Sequence, residues 1–167
     1  MMMEKNTISK KIESFLSAGF TQKDLNRLNG IIRRRLKLLK VNENPPVTSV
    51  YLYEAEDFEL NPYDGVHGGF ICSLFDVAMA LTCCALTDSM VTTCDLQLRY
   101  LRPLPKGDYH LITEITHIGQ TLISAVSKIC PADDNLLICA TCSASFMRVK
   151  EGYKIVQDPR DLTAHFE

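Results

Sequence analysis

Asn61, His67, Gly68, Gly69 and Asp76 are the residues of this 167-residue chain whose types and spacing offer chemistry. They fall within residues 61–86, NPYDGVHGGFICSLFDVAMALTCCAL, where a loop ending in His-Gly-Gly runs into an apolar stretch with one charge, Asp76. A carboxylate avoids apolar surroundings unless hydrogen bonds or partners compensate it. Asp76 is therefore either a structural carboxylate capping a neighbouring group, or a general base or nucleophile at the edge of a pocket.

His-Gly-Gly at the start of a helix places backbone N–H groups at the positive end of its dipole. Glycines there let another group approach the backbone closely, so that a substrate carbonyl developing negative charge could be held by those N–H groups. The alternative is that both glycines only permit a tight turn. Asp76 lies nine residues beyond His67, about 13 Å along a helix at about 1.5 Å per residue, too far for direct contact within one chain. If both serve one site, the second copy must come from another subunit. Asn61 can donate to an oxygen or orient a water, although Asn-Pro also opens turns. For His67, fixing the loop through a backbone carbonyl is preferred to a general-base role.

The elements that must position these residues can be read from periodicity. Residues 70–86 predict a helix of four or five turns, whose small residues let a sheet approach closely. An Asp in the middle makes it a poor membrane span, and a buried helix wrapped by strands fits better. Ile8, Ile12, Phe15 and Leu16 predict a short amphipathic helix with Gly19 as its C-cap. Thr21 and Asp24 resemble a capping box opening a second short helix, in which Leu25 and Leu28 carry the apolar stripe to Gly30. Residues 31–40 are read as a strand paired with 47–54 across the NENPP turn. Four more strands are expected at 91–101, 108–117, 121–130 and 136–149, with a tight turn at Gly119-Gln120. The sum is an α+β domain with about six antiparallel strands around one long helix. Its expected divisions are a basic helical extension (1–29), the main domain (30–150) and a peripheral tail (151–167).

The formal charge of −2 gives no general case for nucleic acid. It is uneven: residues 1–40 carry ten Lys/Arg against three Asp/Glu, while residues 41–167 carry eight against seventeen. Either the basic arm folds back on an acidic body or it meets an anionic partner. The seven cysteines, odd in number and mostly in apolar surroundings, read as free thiols of a reducing cytoplasm rather than a disulfide framework. Cys139-x-x-Cys142 has no second pair to complete a zinc site. Cys94 reads as a packed thiol rather than a nucleophile. No Gly-x-Ser-x-Gly elbow, Walker loop or dinucleotide fingerprint is present.

Asn61-Pro-x-x-x-Val-His67-Gly68-Gly69, then Asp76-x-Ala78 and Arg102-Pro103, resembles the hotdog-fold thioesterases of the phenylacetate-degradation (PaaI-like) group. The resemblance implies a helix wrapped by a curved sheet, dimers with two interfacial sites and often tetramers. It also implies hydrolysis of acyl-coenzyme A thioesters without a metal or other catalytic cofactor, coenzyme A being part of the substrate. Carried over residue by residue, Asp76 is the catalytic carboxylate and Gly68 supplies the N–H that polarises the thioester carbonyl. Asn61 positions the carbonyl or the attacking water, and His67 supports the loop, with the carboxylate coming from the opposite subunit. Gly69, Thr93, Cys94 and Arg102 are the expected substrate contacts. Cys94 stands where a hydroxyl residue is often found, with Thr93 beside it. Arg99, Arg148 and the run Arg33 to Arg35 are further candidates for the nucleotide phosphates. The alternative reading is a non-catalytic hotdog protein that binds an acyl group or assembles partners through its basic arm. A hydratase fits less well, since the His-Gly-Gly arrangement departs from the acid and His pairing of such enzymes.

Overall fold

The computed structural model describes residues 7–17 and 27–149. The expected Gly19 cap, the Thr21/Asp24 box with Leu25, and the tail 151–167 lie outside the described residues. Helix α1 (Ile8–Ser17) forms where the apolar spacing places it. Ile12 is fully buried and Ile8, Phe15 and Leu16 pack against the core.

Helix α2 (Leu28–Arg35) corrects the sequence reading, which gave residues 31–40 to a strand. The three arginines occupy the last helical turn, where cations complement the helix dipole. At Leu36 the backbone turns extended, φ −106° and ψ 126°, and the strand begins there. The hairpin is thus shorter than expected, β1 (Leu36–Asn42) against β2 (Thr48–Glu54), with Leu36 opposite Tyr53 and Asn42 opposite Thr48.

After a short turn of 3-10 helix (Asp57–Glu59) comes α3 (Gly68–Thr87), the 20-residue centre of the molecule. It is apolar on nearly every side because it is covered on nearly every side. Leu74, Phe75, Ala78, Met79, Cys83 and Ala85 have no exposed surface. By length and composition alone α3 could cross a membrane, but here most of it is enclosed by protein. It ends at Asp88, whose φ of 51° is left-handed.

Strands β3 (Val91–Tyr100), β4 (Asp108–Ile118), β5 (Leu122–Pro131) and β6 (Ala140–Arg148) complete one antiparallel sheet. Its order is β1-β2-β4-β5-β6-β3. Inward residues alternate along the central strands, as in Tyr109, Leu111, Thr113 and Ile115 or Ala140, Cys142, Ala144 and Phe146. Register shifts at Leu38/Lys40, Thr93/Asp95 and Ile115/His117 interrupt the ladders, and bulges of this kind bend a sheet around what it covers. The last strand starts four residues later than expected. Residues 136–139 instead follow a turn in which Leu136 N donates to Asp134 Oδ1 (3.0 Å) and Leu137 N to Asp134 O (3.2 Å).

Buried hydroxyls pin the sheet to the helix. Thr82 lies 2.7 Å from Ser49 Oγ and 2.9 Å from the Tyr51 hydroxyl, and donates to Ala78 O (2.9 Å). The basic N-terminal segment folds back on the body, with Lys11 paired to Asp88 at 2.6 Å and Arg35 to Glu56 and Glu59 at 2.6 and 2.9 Å. The seven cysteines are free thiols, five of them buried. Cys94, expected as a packed thiol, is exposed, because it occupies the bulge of the edge strand β3.

Candidate active site

His67 caps α3. Its Nδ1 accepts from Gly69 N at 3.0 Å, which leaves the ring proton on Nε2, and its carbonyl accepts from Phe70 N and Ile71 N. The sequence reading expected the His67 ring to bind a backbone carbonyl; here it accepts from a backbone N–H instead. Gly69 N–H is consumed by that cap. Gly68 N–H has no partner among the described residues, and Gly68 O accepts from the Tyr100 hydroxyl at 2.6 Å. Of the two glycines, Gly68 is the one with an amide to offer. A side chain there would meet the Tyr100 hydroxyl at 3.0 Å, so a hydrogen at this position leaves the approach open.

Asn61 organises the loop before the cap. Its Oδ1 accepts from Tyr63 N at 2.8 Å and Gly65 N at 3.4 Å, and its own N–H donates to Gly65 O at 2.7 Å. Asn61 lines a groove of about 450 Å³, which Gly68, Ile71, Tyr100 and Arg102 also line. Arg102 is held there by donation to Ile138 O at 2.6 Å.

Asp76 opens into a different cavity, of about 190 Å³, shared with Val77, Ala80, Leu81 and Thr93. It is half-buried rather than enclosed. Thr93 Oγ1 donates to Asp76 Oδ1 at 2.6 Å. Cys94 lines neither cavity, and its thiol approaches Thr92 O at 4.0 Å. Asn61, Gly68, Tyr100 and Arg102 are thus brought together, Asp76 and Thr93 are brought together, and the two sets stay in separate cavities of the chain. Among the other arginines, Arg33 borders the Asp76 cavity and Arg99 lies elsewhere, on the outer face of the sheet beside Lys128. Phe75 and Met79 belong to the core, and Phe70 packs on Tyr53 and Phe58.

Glu59 was not singled out from the sequence. Its side chain is fully buried, accepting from Arg35 Nε (2.9 Å), the Tyr53 hydroxyl (2.5 Å) and Glu56 N (2.9 Å), while its carbonyl accepts from His67 N (2.8 Å). The Arg35 guanidinium also reaches Glu54 O and lies over the Phe58 ring, 5.8 Å from its centroid. Burial opposes the Arg35 charge, but the bonds to Glu56 and Glu59 outweigh it and hold the guanidinium above its ordinary pKa. Burial, then the carboxylate of Glu59, pushes the Tyr53 phenol far up, so it remains a donor. The only local signal was the three-residue Glu56–Glu59 spacing of a capping box, present in the fold.

One long helix enclosed by a six-stranded antiparallel sheet defines a hotdog fold. The family model of the thioesterase superfamily matches residues 63–138, which include the His-Gly-Gly cap and Asp76. Over that stretch the chain is similar to the thioesterase superfamily, and its fold as a whole is the hotdog fold. Among solved structures it is similar to the PaaI protein of the phenylacetic acid degradation operon of E. coli, at 14% identity and TM-score 0.69, covering 86% of this chain and 94% of that one. It is also similar to a phenylacetic acid degradation-related protein from Ralstonia eutropha, at 20% identity and TM-score 0.66, covering 82% and 98%. A third similar structure is a hypothetical thioesterase protein from Streptococcus pneumoniae with coenzyme A, at 17% identity and TM-score 0.62, covering 70% and 87%. At these identities the likeness establishes the fold. Comparison with curated proteins finds no match.

Proposed function

We propose that the protein hydrolyses an acyl-coenzyme A thioester to a carboxylic acid and coenzyme A, at sites shared between two copies of the chain. The observation that carries this reading is the division of the candidate groups. Gly68 and Asn61 line one groove, whereas Asp76 and Thr93 line another cavity. Two chains related by a two-fold axis would bring the groove of one against the carboxylate of the other. Gly68 N–H would then hold the thioester oxygen as it gains charge, with the helix dipole behind it. Asp76 would take a proton from water, or attack the carbonyl and pass through an anhydride. The thiolate leaves with little need for an acid. Arg102, which lines the Gly68 groove, would meet a phosphate of the nucleotide. The free thiols suit a reducing cytoplasm.

Hydrolysis of a panel of acyl-coenzyme A thioesters, followed by released thiol, tests the reading. Asp76→Asn and Asp76→Ala, with fold and oligomeric state confirmed, should each lose about a hundredfold or more in kcat. A wild type without turnover on coenzyme A or carrier-protein thioesters would refute it. Sharing is tested with mixed dimers of Asp76→Asn and Gly68→Pro chains. Proline is tolerated at the first helical position, where it removes the N–H with little damage to the helix, provided that the Tyr100 ring shifts to make room. One intact site per mixed dimer should restore activity that neither parent has.

A further inference from the structure

The cavity that holds Asp76 is bordered in part by residues that the superfamily match does not reach. Along α3 it runs from Asp76 through Val77, Ala80 and Leu81 towards Cys84, a span of about 12 Å at about 1.5 Å per residue. Met90 to Thr93 at the start of β3 line one side, and the remaining wall comes from Phe15 of α1 with Asn29 and Arg33 of α2, all three outside residues 63–138. That wall is fastened. Arg33 donates to Phe15 O at 3.5 Å, Lys11 pairs with Asp88 at the far end of α3, and Ser9 N donates to Glu43 at 3.3 Å. Phe15 is half-buried and packs against the core cluster, so its ring has a fixed seat.

We infer that the N-terminal helices form the end of the acyl pocket, and that Phe15 limits the acyl group to a short straight chain of about six carbons. This rests on the thioesterase reading above and adds the substrate class. A cavity of about 190 Å³ is close in size to the roughly 150 Å³ cavities that hold a six-carbon ring. The side chains beyond Asp76 along the helix are apolar, which suits a hydrocarbon tail whose thioester end lies at the carboxylate. A chain longer than the cavity would have to displace the Phe15 ring, and with it the packing of α1 on α3.

The test uses the full chain and straight-chain acyl-coenzyme A thioesters of two to twelve carbons, with wild type, Phe15→Ala and Phe15→Trp. The quantity read is the ratio of kcat/KM for the ten-carbon to the four-carbon substrate, which is insensitive to any loss of folded protein because both rates scale with it. Phe15→Ala should raise this ratio about tenfold or more, since each added methylene that finds room contributes up to about tenfold, and Phe15→Trp should lower it. An unchanged ratio in both variants would overturn the inference. Affinity for non-hydrolysable S-alkyl-coenzyme A thioethers of the same lengths, measured by calorimetry, separates the two claims. A profile that shifts with Phe15 in a protein without turnover would retain the pocket and remove the hydrolase. Thioether affinity that does not depend on Phe15, or no binding at any length, would remove the pocket.

Discussion

Thr93 holds Asp76 at 2.6 Å from the start of β3, and this contact rather than the neighbouring thiol is what orders the carboxylate. The family resemblance implied a hydroxyl residue at the position of Cys94. The bulge between Thr93 and Asp95 shifts the alternation by one residue, so Thr93 lines the Asp76 cavity and Cys94 does not. A one-residue slip of this kind exchanges the faces of a strand and leaves no mark in composition. Thr93→Val keeps the β-branched shape and removes only the donor. In a working thioesterase it should lower kcat/KM about tenfold, as expected for a hydrogen bond to a charged group that is partly open to water. Thr93→Ser should restore most of the loss, whereas Cys94→Ala should change the rate less than about twofold. Equal losses in the Val and Ser variants would point to packing rather than to the hydroxyl.

At the scale of elements, the loop carrying Asn61 and His67 is held at both ends. Glu59 O accepts from His67 N, Val66 N donates to Leu104 O at 2.7 Å, and Leu60 bridges Val66. Behind it, Arg35 at the end of α2 binds the buried Glu59 carboxylate, so the N-terminal helices support the loop as well as the Asp76 cavity. Arg35→Met would leave that carboxylate with only the Tyr53 hydroxyl and Glu56 N. Losing one partner of a buried pair costs about 3 to 5 kcal/mol, and the remaining bonds reduce this to about 2 to 3. The thermal midpoint should fall by about 4 to 12 °C. Glu59→Gln should cost less in the Arg35→Met background than alone, with a coupling of about 1 to 3 kcal/mol by chemical denaturation. Additive losses would show that the pair does not act as a unit. The three arginines show where sequence reading of this region failed. Residues 31–41 are apolar at positions compatible with a helix or a strand, and the choice is made by Arg35 reaching Glu54, Glu56 and Glu59, acceptors about twenty residues away.

For the molecule as a whole, the fold was largely legible because its signals are long. The 20-residue apolar helix, the alternation in β4 to β6 and the Gly119 turn, closed by Gly119 N donating to Leu122 O at 2.8 Å, stand out against their surroundings. The division of the candidate groups between two cavities was foreshadowed by the nine-residue spacing from His67 to Asp76, whereas the polar groups locked inside the core left no such trace. Tyr51 is buried with Thr82 and Ser49, and burial above all pushes its phenol up from 10.0 to about 12. Burial likewise pushes the Cys83 thiol up from 9.0 to about 12, helped by the neighbouring Cys84. Both groups keep their protons in the folded chain at a pH where the unfolded chain releases them. Their contribution to stability is therefore complete below about pH 9 for the thiol and pH 10 for the phenol, and is lost as pH rises towards about 12. Each group adds a fall of up to about 1.4 kcal/mol per pH unit within its window. Unfolding free energies measured from pH 7 to 11.5 should stay level to about pH 8.5 and then decline, as buried phenols and thiols are drawn into the unfolded state. Tyr51→Phe and Cys83→Ala, less stable at neutral pH because each loses packing or a hydrogen bond, should show shallower declines above pH 10 than the wild type. Parallel declines in all three proteins would place the alkaline transition in surface ion pairs such as Lys11–Asp88 instead of the core.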